Sequence, residues 1–306
     1  MDEDLGNVRR NYTGATITIT NDTACQLIFQ NSQLATTTTG VCAMNMNQYT
    51  KILQSGLFGI YRAVSATGVL RTTWGRTLFE AVYLRYKDHI EAGPVDLLQS
   101  YVKPGTFVID VGANVGFFTL KFGRWISAGG KVIAIEPEHI NYMRLQRAVA
   151  AAGLSATVET VNAAAAETVC EGLLEVNPLH PGDHRLGANG VPVSLITIDH
   201  LVETHHWPEV SFIKIDVQGA EARVLAGAAE TIKKFKPSLF VEVDDESLEK
   251  YGSNAHQLLT SCIRFGYTIH ILANNAVSPP LQMDQLLETK NKKGYFDVLL
   301  LSEPEV

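Results

Sequence analysis

Cysteine is scarce in this chain and never closely spaced: Cys25, Cys42, Cys170 and Cys262 are the four among 306 residues, and none form a CxxC pair. That spacing argues against a zinc cage and against a disulfide framework, and it points to reduced, structural thiols. Basic excess is missing too. A formal net charge of −7 repels a phosphate backbone, and no long basic run carries interleaved aromatics, so nucleic acid is not the expected partner. No apolar run approaches the roughly 20 residues that span a bilayer, and no membrane partner is expected. The acidic opening MDEDLGNVRR lacks the apolar region of a secretory signal, which makes the cytoplasm the expected location. The HExxH spacing of zinc enzymes is absent. With 46% hydrophobic and 19% charged residues, the composition is that of an ordinary globular protein with a large core.

What the chain does have is concentrated in FVIDVGANVGFF, residues 107–118. Phe107, Val108, Ile109 and Val111 are β-formers in a short apolar run, as expected for a parallel strand covered on both faces. Gly112 and Gly116 bracket Ala113, Asn114 and Val115, which lets the backbone turn tightly and a ligand approach closely. Nicotinamide and flavin sites use GxGxxG at this place. Here the pattern is DxGxNxG, with Asp110 two residues before the first glycine and no third glycine spaced for a pyrophosphate. S-adenosylmethionine has no phosphate and carries an ammonium, a carboxylate and a sulfonium, so a carboxylate at Asp110 suits its methionine end.

Residues 1–45 are rich in Thr, Asn and Gln, including ATITIT and TTTTG, and read as an N-terminal extension, an edge strand plus loop or a partly disordered segment. Residues 46–92 read as a helical segment, with two helices split near Gly68 and Gly75. Residues 93–306 read as the main domain. There strands are expected at 107–111, 131–137, 156–161, 212–217 and 238–243, and helices at 115–127, 138–152 and 219–234. The segments 267–272 and 296–301 are too close for a helical crossover and are expected to pair antiparallel at one edge. The 170–191 stretch is less regular.

Ligands of open parallel sheets bind beyond the carboxyl ends of the strands, and ionisable residues fall at those ends. Glu136 closes the second strand, where an acid can accept both ribose hydroxyls of an adenosine; a solvated carboxylate at a helix start is the plainer alternative. Asp216 ends the otherwise apolar FIKIDV, where a charge needs a task or a partner: accepting a substrate proton, holding an ammonium, binding a metal, or pairing with Lys214. Glu242 ends the fifth strand and is a further candidate. Glu221 sits at a helix start, where the macrodipole alone would favour it. The polar segment HPGDHRL, residues 180–186, reads as a loop over the site, with His184 a candidate base and Arg185 a candidate clamp.

Together DVGANVGFFTL, VIAIEPE, VSLITID and FIKIDVQGAEARVLAGA resemble the FkbM family of S-adenosylmethionine-dependent methyltransferases, over about residues 78–301. The resemblance implies a class I methyltransferase fold, α/β and Rossmann-like, with a mostly parallel seven-stranded sheet and helices on both faces. It implies O-methylation of hydroxyls on sugars and natural products, with Asp110, Gly112, Asn114 and Gly116 lining the methionine portion of the cofactor and Glu136 its ribose. The GDHRL segment also looks like a loop of some members. Where many members carry Glu, this chain has Gln218. On this reading Asp216 or His184 takes the hydroxyl proton, and Lys214 or Arg185 fixes the acceptor. Divalent metal stays open through the oxygens of Asp216 and Glu242, as do an NAD-dependent oxidoreductase and a cofactor-binding partner subunit without catalysis.

Overall fold

The computed structural model describes residues 95–177, 184–273, 276–286 and 295–302, together with the backbone of three short strands near the start of the chain. The helices expected across 46–92 lie outside the described residues. The chain divides into two compact units, Met1–Tyr83 and Leu84–Val306. In the first, Arg10–Tyr12, Ala15–Thr18 and Gln26–Phe29 pair antiparallel in chain order.

The second unit is built on a seven-stranded sheet. Its strands are β1 Phe107–Val111, β2 Lys131–Ile135, β3 Val158–Val161, β4 Val210–Ile215, β5 Ser238–Asp244, β6 Tyr267–His270 and β7 Tyr295–Ser302. Their spatial order is β3-β2-β1-β4-β5-β7-β6. From β3 to β5 every neighbour is parallel, while β7 runs antiparallel to both β5 and β6. The antiparallel pairing expected for the last two strands is present, with β7 inserted beside β5 and β6 left at the edge.

Strand alternation sorts the apolar residues to two faces. Ile109, Ile133, Ile213, Ile215 and Val241 enter one core, against helices α3 Ile198–Thr204, α4 Glu221–Ala226, α5 Ala229–Phe235 and α7 Ala255–Arg264. Val108, Val132, Phe212 and Phe240 enter the other, with Phe122 of α1 Phe117–Trp125 and Leu145 and Val149 of α2 His139–Ala151. This is the doubly covered α/β architecture that the continuous apolar runs call for. Short α6, Asp245–Glu249, follows β5 directly. Among the described residues no helix is long and apolar enough to cross a membrane.

Two expectations are corrected. The single helix expected at 219–234 is two, α4 and α5, broken at Gly227 and Ala228. A Cβ on Gly227 would lie 2.0 Å from the Ala166 carbonyl oxygen, and Asp199 of α3 accepts from the backbone N–H groups of Glu230 and Thr231, capping α5 from a distance. The irregular 170–191 stretch contains two strands of a second sheet of four: Cys170–Glu175 pairs antiparallel with Arg185–Gly187 and with Val191–Ile196, which also runs parallel to Ala164–Ala165.

Phe122 has no exposed surface, and its ring centroid lies 5.4 Å from that of Phe212 and 5.7 Å from that of Trp125. Phe122→Ala is expected to destabilise the unit by about 3–5 kcal/mol, read as a lower urea midpoint at unchanged slope; a midpoint that stays put would show that the neighbouring rings close the cavity.

Candidate functional site

The β1–α1 turn is pinned to both neighbouring strands. Gly112 and Ala113 donate their N–H groups to the Ile135 carbonyl at the end of β2, each at 3.0 Å. Gly112 is left-handed at φ 74°, and a Cβ there would fall 1.9 Å from the Asp216 carbonyl oxygen. The glycine is therefore demanded by the close approach of the chain leaving β4, a neighbour that the sequence pattern did not show. Asn114 is also left-handed, at φ 50°, a conformation that asparagine tolerates better than most side chains. Gly116, at φ 99°, starts α1 against Leu145.

Glu136 is 4% exposed. Its Oε2 accepts from the Asn114 N–H at 2.8 Å and its Oε1 from the Glu138 N–H at 2.9 Å. Burial pushes its carboxyl up to about 7, against the pull of those two hydrogen bonds. Each carboxylate oxygen can accept more than one bond, so the group keeps acceptor capacity while its position is fixed.

Asp110 lies deeper than expected. It has no exposed surface, its Oδ2 accepts from Thr119 Oγ1 at 2.5 Å, and its Oδ1 lies 3.6 Å from Lys214 Nζ. The structure gives Asp110 a partner one strand away: the register sets Lys214 of β4 opposite it. Burial holds the Asp110 carboxyl above its usual range, although Lys214 and Thr119 pull it down.

Lys214 is 3% exposed. Its ammonium lies 3.2 Å from Asp216 Oδ2, donates to the carbonyls of Gly112 at 2.9 Å and Val111 at 3.3 Å, and stands 5.2 Å from the centre of the Phe118 ring. Three acceptors thus surround its three protons, and the ammonium ties the end of β1 to Asp216. Burial favours loss of the proton, but the carboxylates of Asp216 and Asp110 outweigh it and hold the group above its ordinary value.

Asp216 is the part of this cluster that meets solvent, with 35% of its side chain exposed. Next to it Glu242 is half-buried. Gln218 donates its amide to Glu242 Oε2 at 3.2 Å and to Asp216 Oδ1 at 3.5 Å. Burial, together with the Asp216 and Asp297 carboxylates, pushes Glu242 well above the usual carboxylate range and favours its neutral form.

His184 is half-buried in front of the Arg185–Gly187 strand, and its Nδ1 accepts from the Asn177 N–H at 3.1 Å. A neutral ring with Nδ1 as acceptor carries its proton on Nε2. Residues 180–183 of the expected loop lie outside the described residues. The sequence reading missed Thr119, whose only signal is a polar residue within FFTLKF, and Gln218 as a bridge between two acids. Among the described residues no group of three or more His, Cys, Asp or Glu is arranged to hold a metal ion.

The cluster concentrates one ammonium against the carboxyl groups of Asp110, Asp216 and Glu242, so it favours a cationic or neutral ligand over an anionic one. Glu136 stands two strands from β4, beyond the glycine turn, with lone pairs suited to vicinal hydroxyls. That donor set fits an adenosyl sulfonium compound.

The Methyltransferase FkbM domain matches residues 110–269, just over half of the chain. The FkbM methyltransferase of Methylobacillus flagellatus KT is 18% identical over 64% of this chain, with a TM-score of 0.41, and the match spans 43% of that protein's length. The precorrin-6y C5,15-methyltransferase of Geobacter metallireducens is 10% identical over 70% of this chain and 88% of its own, with a TM-score of 0.41. The Bacillus cereus O-methyltransferase, in complex with S-adenosylhomocysteine, is 12% identical over 69% of this chain and 81% of its own, with a TM-score of 0.39. No curated protein matches in sequence.

Removing the ammonium strands a buried acid. Lys214→Met is expected to destabilise the protein by about 3–5 kcal/mol at pH 8, and by less at pH 5, where the unpaired Asp110 takes up a proton and sheds its charge. Urea unfolding at the two pH values reads this directly, and an equal loss at both would show that Asp110 is not the group left unpaired.

Proposed function

This chain belongs to the FkbM methyltransferase family, whose cofactor is S-adenosylmethionine, and on that premise we propose that its acceptor is a hydroxyl oxygen of a small neutral or cationic molecule, such as a sugar or a natural product. The observation that carries the reading is Asp216: a carboxylate at the end of the central strand, one third exposed, held beside a buried ammonium and beside Glu242, whose neutral form burial favours. Family membership sets the dinucleotide alternative aside.

Bound S-adenosylmethionine supplies a methyl group made electrophilic by its sulfonium. The protein's part is to align a nucleophile, exclude water and take a proton. Glu136 receives the ribose hydroxyls, and the 112–116 turn forms the adjoining wall. Asp110 and Lys214 act beneath that wall: Asp110 steadies the ammonium, and the ammonium keeps Asp216 ionised. An alcohol that attacks carbon must give up its proton, and Asp216 Oδ1 or Oδ2 is placed to accept it. Glu242, whose charged form burial and neighbouring carboxylates disfavour, leaves Asp216 as the carboxylate we assign to accept the proton. His184, with Nδ1 engaged by the backbone, serves better as a hydrogen-bond donor through Nε2. A phosphorylated acceptor would face this carboxylate surplus at close range and is disfavoured.

An acceptor screen with labelled methyl donor tests the reading. Asp216→Asn is expected to lower kcat on the acceptor found by about 100-fold or more while S-adenosylhomocysteine affinity stays within about threefold. Turnover within a few-fold of wild type would remove Asp216 as the base, and tight NADH binding without S-adenosylhomocysteine binding would overturn the cofactor.

Glu136 gives a second outcome. Ribose hydroxyls donate to its ionised form, so binding lowers its pKa from about 7, and affinity must rise with pH through that value. Calorimetry should find S-adenosylhomocysteine bound roughly tenfold more tightly at pH 8 than at pH 6, with the slope absent in Glu136→Gln. A flat wild-type profile would separate Glu136 from the ribose.

A further inference from the structure

Glu221 has no task in the scheme above, yet it is one of the most buried acids in the chain at 2% exposure. Its Oε1 accepts from the backbone N–H groups of Val217 at 3.2 Å and Gly219 at 3.1 Å, while its Oε2 is buried without a hydrogen-bond partner. The two N–H groups flank Gln218, a non-glycine residue held left-handed at φ 55°, and Gly219 follows at φ 105°, where a Cβ would lie 2.2 Å from the Ser247 carbonyl oxygen. A left-handed Gln is unfavourable by about 1–2 kcal/mol, and such a conformation persists only when its surroundings enforce it. Helix α4, which begins at Glu221, has only six residues, so its macrodipole is a weak reason for this burial.

We propose that Glu221 is a positioning residue: its carboxyl locks the 217–219 turn in the left-handed conformation that aims the Gln218 amide at Asp216 and Glu242. The chain of contacts runs from a buried acid, through two backbone donors, to a side-chain amide, to the proton-accepting pair. Without the lock, Gln218 relaxes toward the right-handed region and its amide leaves both acids. Among the described residues, the charged groups facing that pair are Lys214 and Asp110 from β4 and β1, Asp297 from β7, and Glu221 itself, whose charge repels that of Asp216 and which Glu221→Gln removes without removing the acceptor oxygen. Losing an amide donor from this set disfavours the ionised forms and moves the titration of the pair upward. Burial likewise raises the Glu221 carboxyl, in keeping with a group that serves through hydrogen bonds rather than through charge.

The inference rests on Asp216 as proton acceptor, but its test needs no acceptor substrate. Hydrogen exchange at the Val217 and Gly219 amides and carbon-13 titration of the Glu242 carboxyl are measured on the full chain. In Glu221→Ala both amides should exchange roughly tenfold faster or more, while amides of β5 stay as they were. Glu242 should titrate at higher pH, as it does in Gln218→Ala, and the double variant should move it no further. Glu221→Asp, which keeps the charge but shortens the reach, should behave like Glu221→Ala and covers the case in which the alanine variant does not fold. Glu221→Gln, which keeps one oxygen for both donors, should retain exchange within about threefold. Unchanged exchange in the alanine or aspartate variant, acceleration spread equally over β4 and β5, or additive shifts from Glu221 and Gln218 would overturn the lock and leave the methyl-transfer assignment untouched.

Discussion

A buried ammonium organises this site. Taking a lysine out of water costs several kcal/mol unless every proton finds an acceptor, and Lys214 finds them on two strands: the carbonyls of Val111 and Gly112 at the end of β1, and Asp216 beyond its own strand. Those acceptors cannot be met unless β1 and β4 lie side by side in the observed register, with Lys214 opposite Asp110. The same geometry brings the Asp216 backbone so near Gly112 that no side chain fits there. The glycine turn, usually read as room for a ligand, is thus first a consequence of how closely β4 packs on β1.

From that point the turn is tied in the other direction as well. The Ile135 carbonyl of β2 receives two of its N–H groups, and Glu136 receives a third, from Asn114. Three strands therefore fix one five-residue turn, and the acids on either side of it, Glu136 and Asp216, are held in relation to each other through backbone hydrogen bonds rather than through flexible side chains. A site that must align a methyl donor and a nucleophile within a fraction of an ångström needs that kind of support.

The sheet was legible because its strands are continuous apolar runs, and continuous runs belong to parallel strands covered on both faces. The glycine turn and the strand-end acids were legible because chemistry-bearing residues interrupt those runs at their carboxyl ends. What stayed hidden depended on residues distant in sequence. Asp199 cutting one expected helix into two is such a case, since its capping bonds reach across 31 and 32 residues. The small sheet escaped notice because Cys170, Glu171, Val191 and Pro192 are all exposed, which erases the apolar alternation that marks a half-buried strand. The pairing of Lys214 with Asp216 follows from two-residue periodicity, but its pairing with Asp110, and hence the depth of Asp110, follows from strand register, which local pattern does not specify.

Gln218 shows how a single side chain sets the electrostatics of such a cluster. Burial, joined by repulsion from Asp216 and Asp297, already pushes Glu242 well above its usual range. A glutamate at position 218 would add a fourth carboxyl group to that set and drive protons onto its members, the proposed proton acceptor Asp216 among them. An amide of the same length does the opposite, because its N–H groups stabilise negative charge on the oxygens they reach. Since a carboxyl group can accept a proton only while ionised, glutamine at this position lowers the basicity of the pair but keeps a larger share of it ionised, and so able to take a proton, at a given pH than a glutamate there would.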